Sequence, residues 1–129
     1  MSLQAVRKRY VEDAVSTVTP AKLVTMLYDA LIRDFDLAQA ALGNNDLQTA
    51  HERLIHAQDI VLELQSGLDV SKWDGAAALM SLYSFMHREL INANVRKDAA
   101  AVAAVRETAE PLRQAWHQAA AAAASGSPA

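Results

Sequence analysis

TPAKLVTMLYDALIRDFDLAQAAL, residues 19–42, decides the fold, because it contains two apolar seams where a surface helix normally has one. The first seam recurs at steps of four and three and consists of Val24, Tyr28, Leu31, Phe35, Ala38 and Leu42. The second seam follows on a neighbouring face and consists of Leu23, Met26, Leu27, Ala30, Leu37 and Ala41. At about 100° per residue, the two seams cover well over half of the helix circumference. One seam can pack inside a bundle, and the other must find another partner.

Asp34 distinguishes the two seams, because it falls in the middle of the second one. A fully buried carboxylate is costly without a partner. We therefore predict that the first seam forms the core. The second seam is predicted to face a more hydrated surface or a partner that can dissociate. The alternative, in which the helix is central and both seams are core, stays open. The remaining face is expected to be a polar strip, formed by Lys22, Thr25, Asp29, Arg33 and Asp36.

The composition excludes several classes of protein. A chain of 129 residues suggests one domain, and the absence of cysteine excludes disulfides and thiolate metal sites. A net charge of −3 and a pI near 5.7 give no electrostatic footprint for nucleic acid. No apolar run approaches the roughly 20 residues of a membrane span, and the N-terminus lacks the order of a signal peptide. We expect a cytoplasmic protein that binds no nucleic acid and does not insert into a membrane.

The helical period recurs four times, and no segment alternates with a period of two. The predicted helices cover about 20–42, 46–68, 75–97 and 99–123. Because the links between them are short, residues 19–124 are predicted to form an all-α, antiparallel up-down four-helix bundle. Residues 1–18 are expected to be a mobile N-terminal arm or a short helix, and residues 125–129 a disordered tail. Pro111 predicts a kink or restart of the fourth helix near Ala109–Glu110.

The histidines predict no metal, cofactor or catalytic site. His51 and His56 are five residues apart, whereas a zinc-protease helix needs histidines four apart on one face. A di-iron bundle would need Glu-x-x-His pairs. The residues three before the four histidines are not acidic; they are Gln48, Arg53, Ser84 and Gln114. A phosphotransfer bundle with His51 on an exposed face is the better alternative function. In that motif, however, Leu54 and Ile55 replace the expected lysine and glycine. Because the chain has surplus apolar helix surface and no catalytic motif, the sequence favours a helix-binding module over an enzyme.

Several separate stretches resemble the FliS family of flagellar export chaperones. The N-terminal pattern matches at Tyr10, Val15, Thr17, Thr19-Pro20 and the run 26–29, Met-Leu-Tyr-Asp. The later helices match at HAQDIVLELQSGLD (residues 56–69), LYSFMHRELINAN (residues 82–94) and LRQAW (residues 112–116). The similarity extends over about residues 10–117 in the family's order. Three departures are Asp34, where the family usually has an apolar or longer residue, the 69–75 loop with Trp73, and Pro111.

The resemblance implies a cytoplasmic chaperone, without enzymatic activity or cofactor, that binds the C-terminal segment of flagellin. Such a chaperone prevents premature polymerisation and helps to deliver flagellin to the flagellar export apparatus. It is expected to be a monomer or a weak homo-oligomer. The predicted partner-binding residues lie on the arm and the second seam; they are Tyr10, Val15, Leu23, Met26, Leu27, Ala30, Asp34 and Leu37. Whether the arm is a lid over the groove or part of the binding site stays open.

Overall fold

Four long helices make up most of the computed structural model, which describes residues 3–8 and 20–125. They are α1 (Pro20–Gly43), α2 (Leu47–Ser66), α3 (Ala76–Arg96) and α4 (Ala99–Ala124). Residues 3–8 are helical as well, and no strand occurs within the described ranges. The predicted all-α class is confirmed. None of the helices in these ranges combines the length and the apolar character that a membrane crossing requires.

The helices pack as a four-membered ring. α1 packs along α2 and α4, and α3 packs along the same two helices, while the backbones of the diagonal pairs stay more than 8 Å apart and meet only through side chains. Successive helices are therefore neighbours in the ring, which α1 and α4 close, and the short connections make successive helices antiparallel. The Asp46 and Asp98 side chains accept hydrogen bonds from the backbone N–H groups of Thr49 and Ala101, which caps α2 and α4.

The first seam of α1 forms the centre of the core, as predicted. Its four middle residues are fully buried; they are Tyr28, Leu31, Phe35 and Ala38. Val24 and Leu42, at its two ends, are partly buried and pack against the same core. These side chains meet Leu54 and Val61 from α2 and Met86 from α3, so the seam is the common packing surface of the bundle.

The second seam does not form one continuous surface that faces water or a separate partner. The prediction that this seam lies outside the core is wrong for part of it. Leu27, Asp34 and Ala41 are buried against the rest of the bundle. Asp34 is only 2% exposed, because α2 supplies the partner that the sequence of α1 alone does not reveal. His56 donates a hydrogen bond to its carboxylate, and Arg53 lies 3.5 Å from it.

The polar strip of α1 and the fourth helix also differ from expectation. Thr25, assigned to the strip, is fully buried, and its hydroxyl donates to the backbone carbonyl of Lys22. This internal hydrogen bond satisfies the hydroxyl and lets a small side chain pack inward. α4 runs through Pro111 as a single helix, so of the predicted kink or restart near Ala109–Glu110 the restart does not occur, and the kink stays a prediction. Tyr10, Val15 and the 126–129 tail lie outside the described residues.

Candidate functional site

The open end of the bundle, where α1 and α3 begin and α2 and α4 end, contains two apolar grooves. The first groove lies between α3 and α4 and has a volume of about 460 Å³. Its lining is almost entirely apolar and consists of Trp73, Ala78, Leu79, Leu82, Leu112, Ala115, Trp116 and Ala119. Of the neighbouring helix pairs, α3 and α4 pack least extensively. The methyl groups of three alanines are too small to fill the space between them, so a groove remains.

The second groove lies beside the first and encloses about 260 Å³. The start of α1 and the end of α2 form most of its wall, including Leu23, Leu27 and Leu64. Arg7 and Glu63 form an ion pair at its rim, which ties residues 3–8 to α2. Trp116 lines both grooves, so the two form one adjoining apolar surface.

Two tyrosines form a polar contact beneath the grooves. The hydroxyl oxygens of Tyr28 and Tyr83 are 2.6 Å apart, and the ring centroids are 6.5 Å apart. The nearby side chain of Trp116 opposes part of the rise in the Tyr28 pKa. Burial raises the pKa of both phenols, so both stay protonated at neutral pH and act as neutral hydrogen-bonding groups. This contact joins α1 and α3 directly beneath the grooves.

The predicted α1 site residues occupy three different environments. Leu23 and Leu27 line the second groove, although Leu27 is almost completely buried there. Met26, Ala30 and Leu37 are partly exposed and occupy one face of α1, which begins beside Leu23. We call these three residues the α1 stripe. Its far end is 39% exposed at Leu37, which borders a shallow polar depression near Arg33 and Asp36.

Asp34 belongs to the α1–α2 interface and lines neither groove. Burial raises the pKa of its carboxyl group, while the hydrogen bonds and positive charges of His56 and Arg53 oppose part of that rise. The side chain is thus an internal ion-pair partner. Its place in a binding surface, predicted from its position in the second seam, has no support in this geometry.

Comparison with known proteins identifies the family. The family model described as Flagellar protein FliS matches residues 2–123. The chain belongs to the FliS family.

Its relatives are named Flagellar secretion chaperone FliS. The Bacillus subtilis (strain 168) protein is 34% identical over 119 residues, which covers 92% of this chain and 89% of the relative. The Vibrio cholerae protein is 33% identical over 118 residues, covering 91% of this chain and 87% of the relative. The Salmonella typhimurium protein is 34% identical over 110 residues, covering 84% and 82%. The predicted resemblance is confirmed, and with it the assignment to a family of flagellar secretion chaperones that are not enzymes.

Membership in the FliS family removes the basis for the phosphotransfer alternative. His51 exchanges a hydrogen bond with the side-chain amide of Asn94, across the α2–α3 interface. Among the residues that the structure describes, no three histidine, cysteine, aspartate or glutamate side chains come together as a metal site.

Sequence reasoning missed the first groove. Leu79, Leu82, Leu112 and Trp116 have the spacing of core residues, and periodicity does not distinguish a packed layer from a gap between two helices. The summed side-chain volume of the two helices could have indicated the groove. α4 supplies mostly alanine after Trp116, and α3 begins with three alanines, so this end of the bundle has too few large side chains to fill it.

Proposed function

We propose that this FliS-family chain is a cytoplasmic chaperone that binds the C-terminal segment of flagellin, prevents its premature polymerisation and helps to deliver it to the flagellar export apparatus. The observation that supports the proposal best is the adjoining pair of apolar grooves that meet at Trp116. An apolar concave surface between helices suits an amphipathic helix, which inserts its apolar face by helix-in-groove packing.

Binding energetics favour a client that extends beyond the grooves. A micromolar complex corresponds to about −8 kcal/mol, and ordering a disordered tail costs about 5 kcal/mol more. At about 25 cal/mol per Å² of apolar surface, these two quantities together require roughly 500 Å² of burial or more. The α1 stripe, Met26, Ala30 and Leu37, adds partly exposed apolar surface next to the second groove. We infer that the client occupies the grooves and continues along this stripe.

The proposed binding requires no chemistry. The client's apolar face would be covered until export, which would prevent it from packing against other flagellin molecules. Release then requires only that competing contacts exceed those of the grooves and the stripe, without a nucleotide, metal or covalent step. The fraction of client bound is expected to depend on concentration. Adding a phosphorylated receiver domain is expected to leave that fraction unchanged.

The test is fluorescence anisotropy with a labelled peptide from a flagellin C-terminal segment. Leu82→Glu places a charge inside the first groove, and Phe85→Glu is the matched control, because Phe85 lies on the same helix, is 41% exposed and lines neither groove. Leu82→Glu should lower the affinity by about tenfold or more, as expected for a central apolar anchor. The control should bind like the unmodified chain. Equal affinity for Leu82→Glu, with an unchanged helical circular dichroism spectrum, would remove the grooves from the proposal.

A further inference from the structure

The two halves of α4 are attached to the bundle very differently. Val102, Val105 and Ala109 are buried, and all three precede Pro111. After Pro111 no residue of α4 is fully buried, and Leu112 and Trp116 are only partly covered. We call residues 112–124 the post-proline segment. It forms one whole side of the first groove, and its apolar contacts are weaker than those of the preceding half.

Pro111 weakens the helix at the junction of the two halves. Proline has no backbone N–H, so the carbonyl of Glu107 lacks the donor that would normally come from residue 111. The proline ring also crowds that carbonyl. Bending at this position therefore breaks fewer backbone hydrogen bonds than bending elsewhere in α4, while the side-chain bonds from Arg113 and Gln114 to Glu110 span the proline. A proline within a helix is among the established causes of kinks.

One carboxylate, which pairs with an arginine and accepts a hydrogen bond from a histidine, holds the post-proline segment against α1. Asp29 Oδ1 accepts hydrogen bonds from Arg113 Nη1 at 3.0 Å and from His117 Nε2 at 2.7 Å. Partial burial raises the pKa of Asp29, but the bonds from His117 and Arg113 lower it by more, so the pKa lies below its usual value. Asp36, also on α1, pairs instead with Arg106, which precedes the proline.

We propose that the post-proline segment is a movable wall of the first groove, hinged at Pro111 and latched to α1 by Asp29. When the latch opens, the wall swings away from α3 and the groove widens enough to admit an apolar helix. Trp116 moves with the wall, so the second groove changes with the first. The role in admitting a client rests on the proposed function, whereas the hinge itself is a property of the free chain.

Both states of the wall are compatible with a stable bundle. The fully buried core residues of α4 precede the hinge, so opening leaves their packing intact. The latch is partly exposed: the Asp29 and Arg113 side chains are 39% and 31% accessible. Water therefore replaces the broken ion pairs at modest cost. A client that binds the open state better shifts the population toward it.

Hydrogen exchange of the full chain, followed by mass spectrometry, tests the hinge without any client. Asp29→Asn should accelerate exchange in residues 112–124 by about three- to tenfold, the combined effect of two partly exposed ion pairs, and leave 99–109 unchanged. Asp36→Asn is the matched control and should not change exchange after Pro111. Pro111→Ala restores the missing donor and should slow exchange in the same segment. Equal acceleration on both sides of Pro111 in Asp29→Asn, or none in residues 112–124, would overturn the hinge.

Stopped-flow association with the labelled flagellin peptide tests what the wall admits. Asp29→Asn should associate faster than the unmodified chain and Pro111→Ala more slowly. Slower association of Asp29→Asn would overturn the role of opening in client entry. If exchange responds as expected but the unmodified chain binds no peptide, the hinge stands and the proposed function fails. If the peptide binds but exchange does not respond, the hinge fails alone.

Discussion

Replacing Asp34 by asparagine should stabilise the bundle at neutral pH. The carboxylate is 2% exposed, whereas its partners Arg53 and His56 are 44% and 29% exposed. Removing the carboxylate leaves those partners free to turn toward water, so the lost pairing is worth about 0.2–1 kcal/mol per pair. Desolvating a buried carboxylate costs several kcal/mol, whereas burying the neutral amide of asparagine with an unsatisfied donor costs about 1–3 kcal/mol. The difference predicts a gain on the order of 1 kcal/mol in the free energy of unfolding at pH 7.

The stability difference between the Asp34→Asn variant and the unmodified chain should depend on pH. Burial raises the folded-state pKa of Asp34 above its ordinary value of 3.8, so the folded chain holds this proton more tightly than the unfolded chain does. Its contribution to stability is therefore present at low pH and falls as the pH rises from about 3.8 through the raised folded-state pKa. Asparagine does not titrate, so the advantage of the variant should grow across this window and then level off.

Urea unfolding followed by circular dichroism, at pH values from 3.5 to 7 (about four settings), measures this difference. Asp36→Asn is the control, because Asp36 lies two residues away on α1 and is 55% exposed. The Asp34 variant should also bind the flagellin peptide with unchanged affinity, since Asp34 lines neither groove. A loss of about 2 kcal/mol or more at pH 7 would show that pairing outweighs desolvation and would refute the reasoning.

Three further predictions concern the seams, the arm and metals. Leu27→Asp should unfold the chain, because it places a charge at a core position that is 6% exposed, and a folded Leu27→Asp variant in circular dichroism would contradict the core assignment. Leu37→Asp should fold but bind the flagellin peptide with lower affinity, which fluorescence anisotropy measures. Deleting residues 1–18, or Tyr10→Ala, should promote self-association and speed peptide association if the arm is a lid; slower and weaker binding in stopped flow would make the arm part of the site. Zinc or a chelator should leave the melting temperature unchanged, and a tight stoichiometric zinc-binding isotherm with a raised melting temperature would contradict the prediction that the chain has no metal site.

Local periodicity predicted the core face of α1 but not the partners of that face. Tyr28, Leu31 and Phe35 follow a heptad repeat, and a repeat within one helix reports directly which side is apolar. The neutralising partners of Asp34 belong to a different helix, some 20 residues later, and no pattern within residues 19–42 indicates them. The alternative in which both seams are core agrees with the burial of Leu27 and Ala41, but it does not agree with the exposure of Leu37.

The polar contact beneath the grooves explains how an apolar surface keeps its shape while it is empty. Leucine and alanine side chains alone could shift to fill the space, since apolar packing is not directional. Tyr28 and Tyr83 are restrained, because their hydroxyl oxygens lie 2.6 Å apart and form a hydrogen bond. Moving either ring to fill a groove would break that bond within the core, and an unsatisfied buried polar group costs about 1–3 kcal/mol. The tyrosine pair therefore resists inward collapse beneath both grooves, and its directional bond maintains a cavity that nonspecific apolar contacts would tend to close.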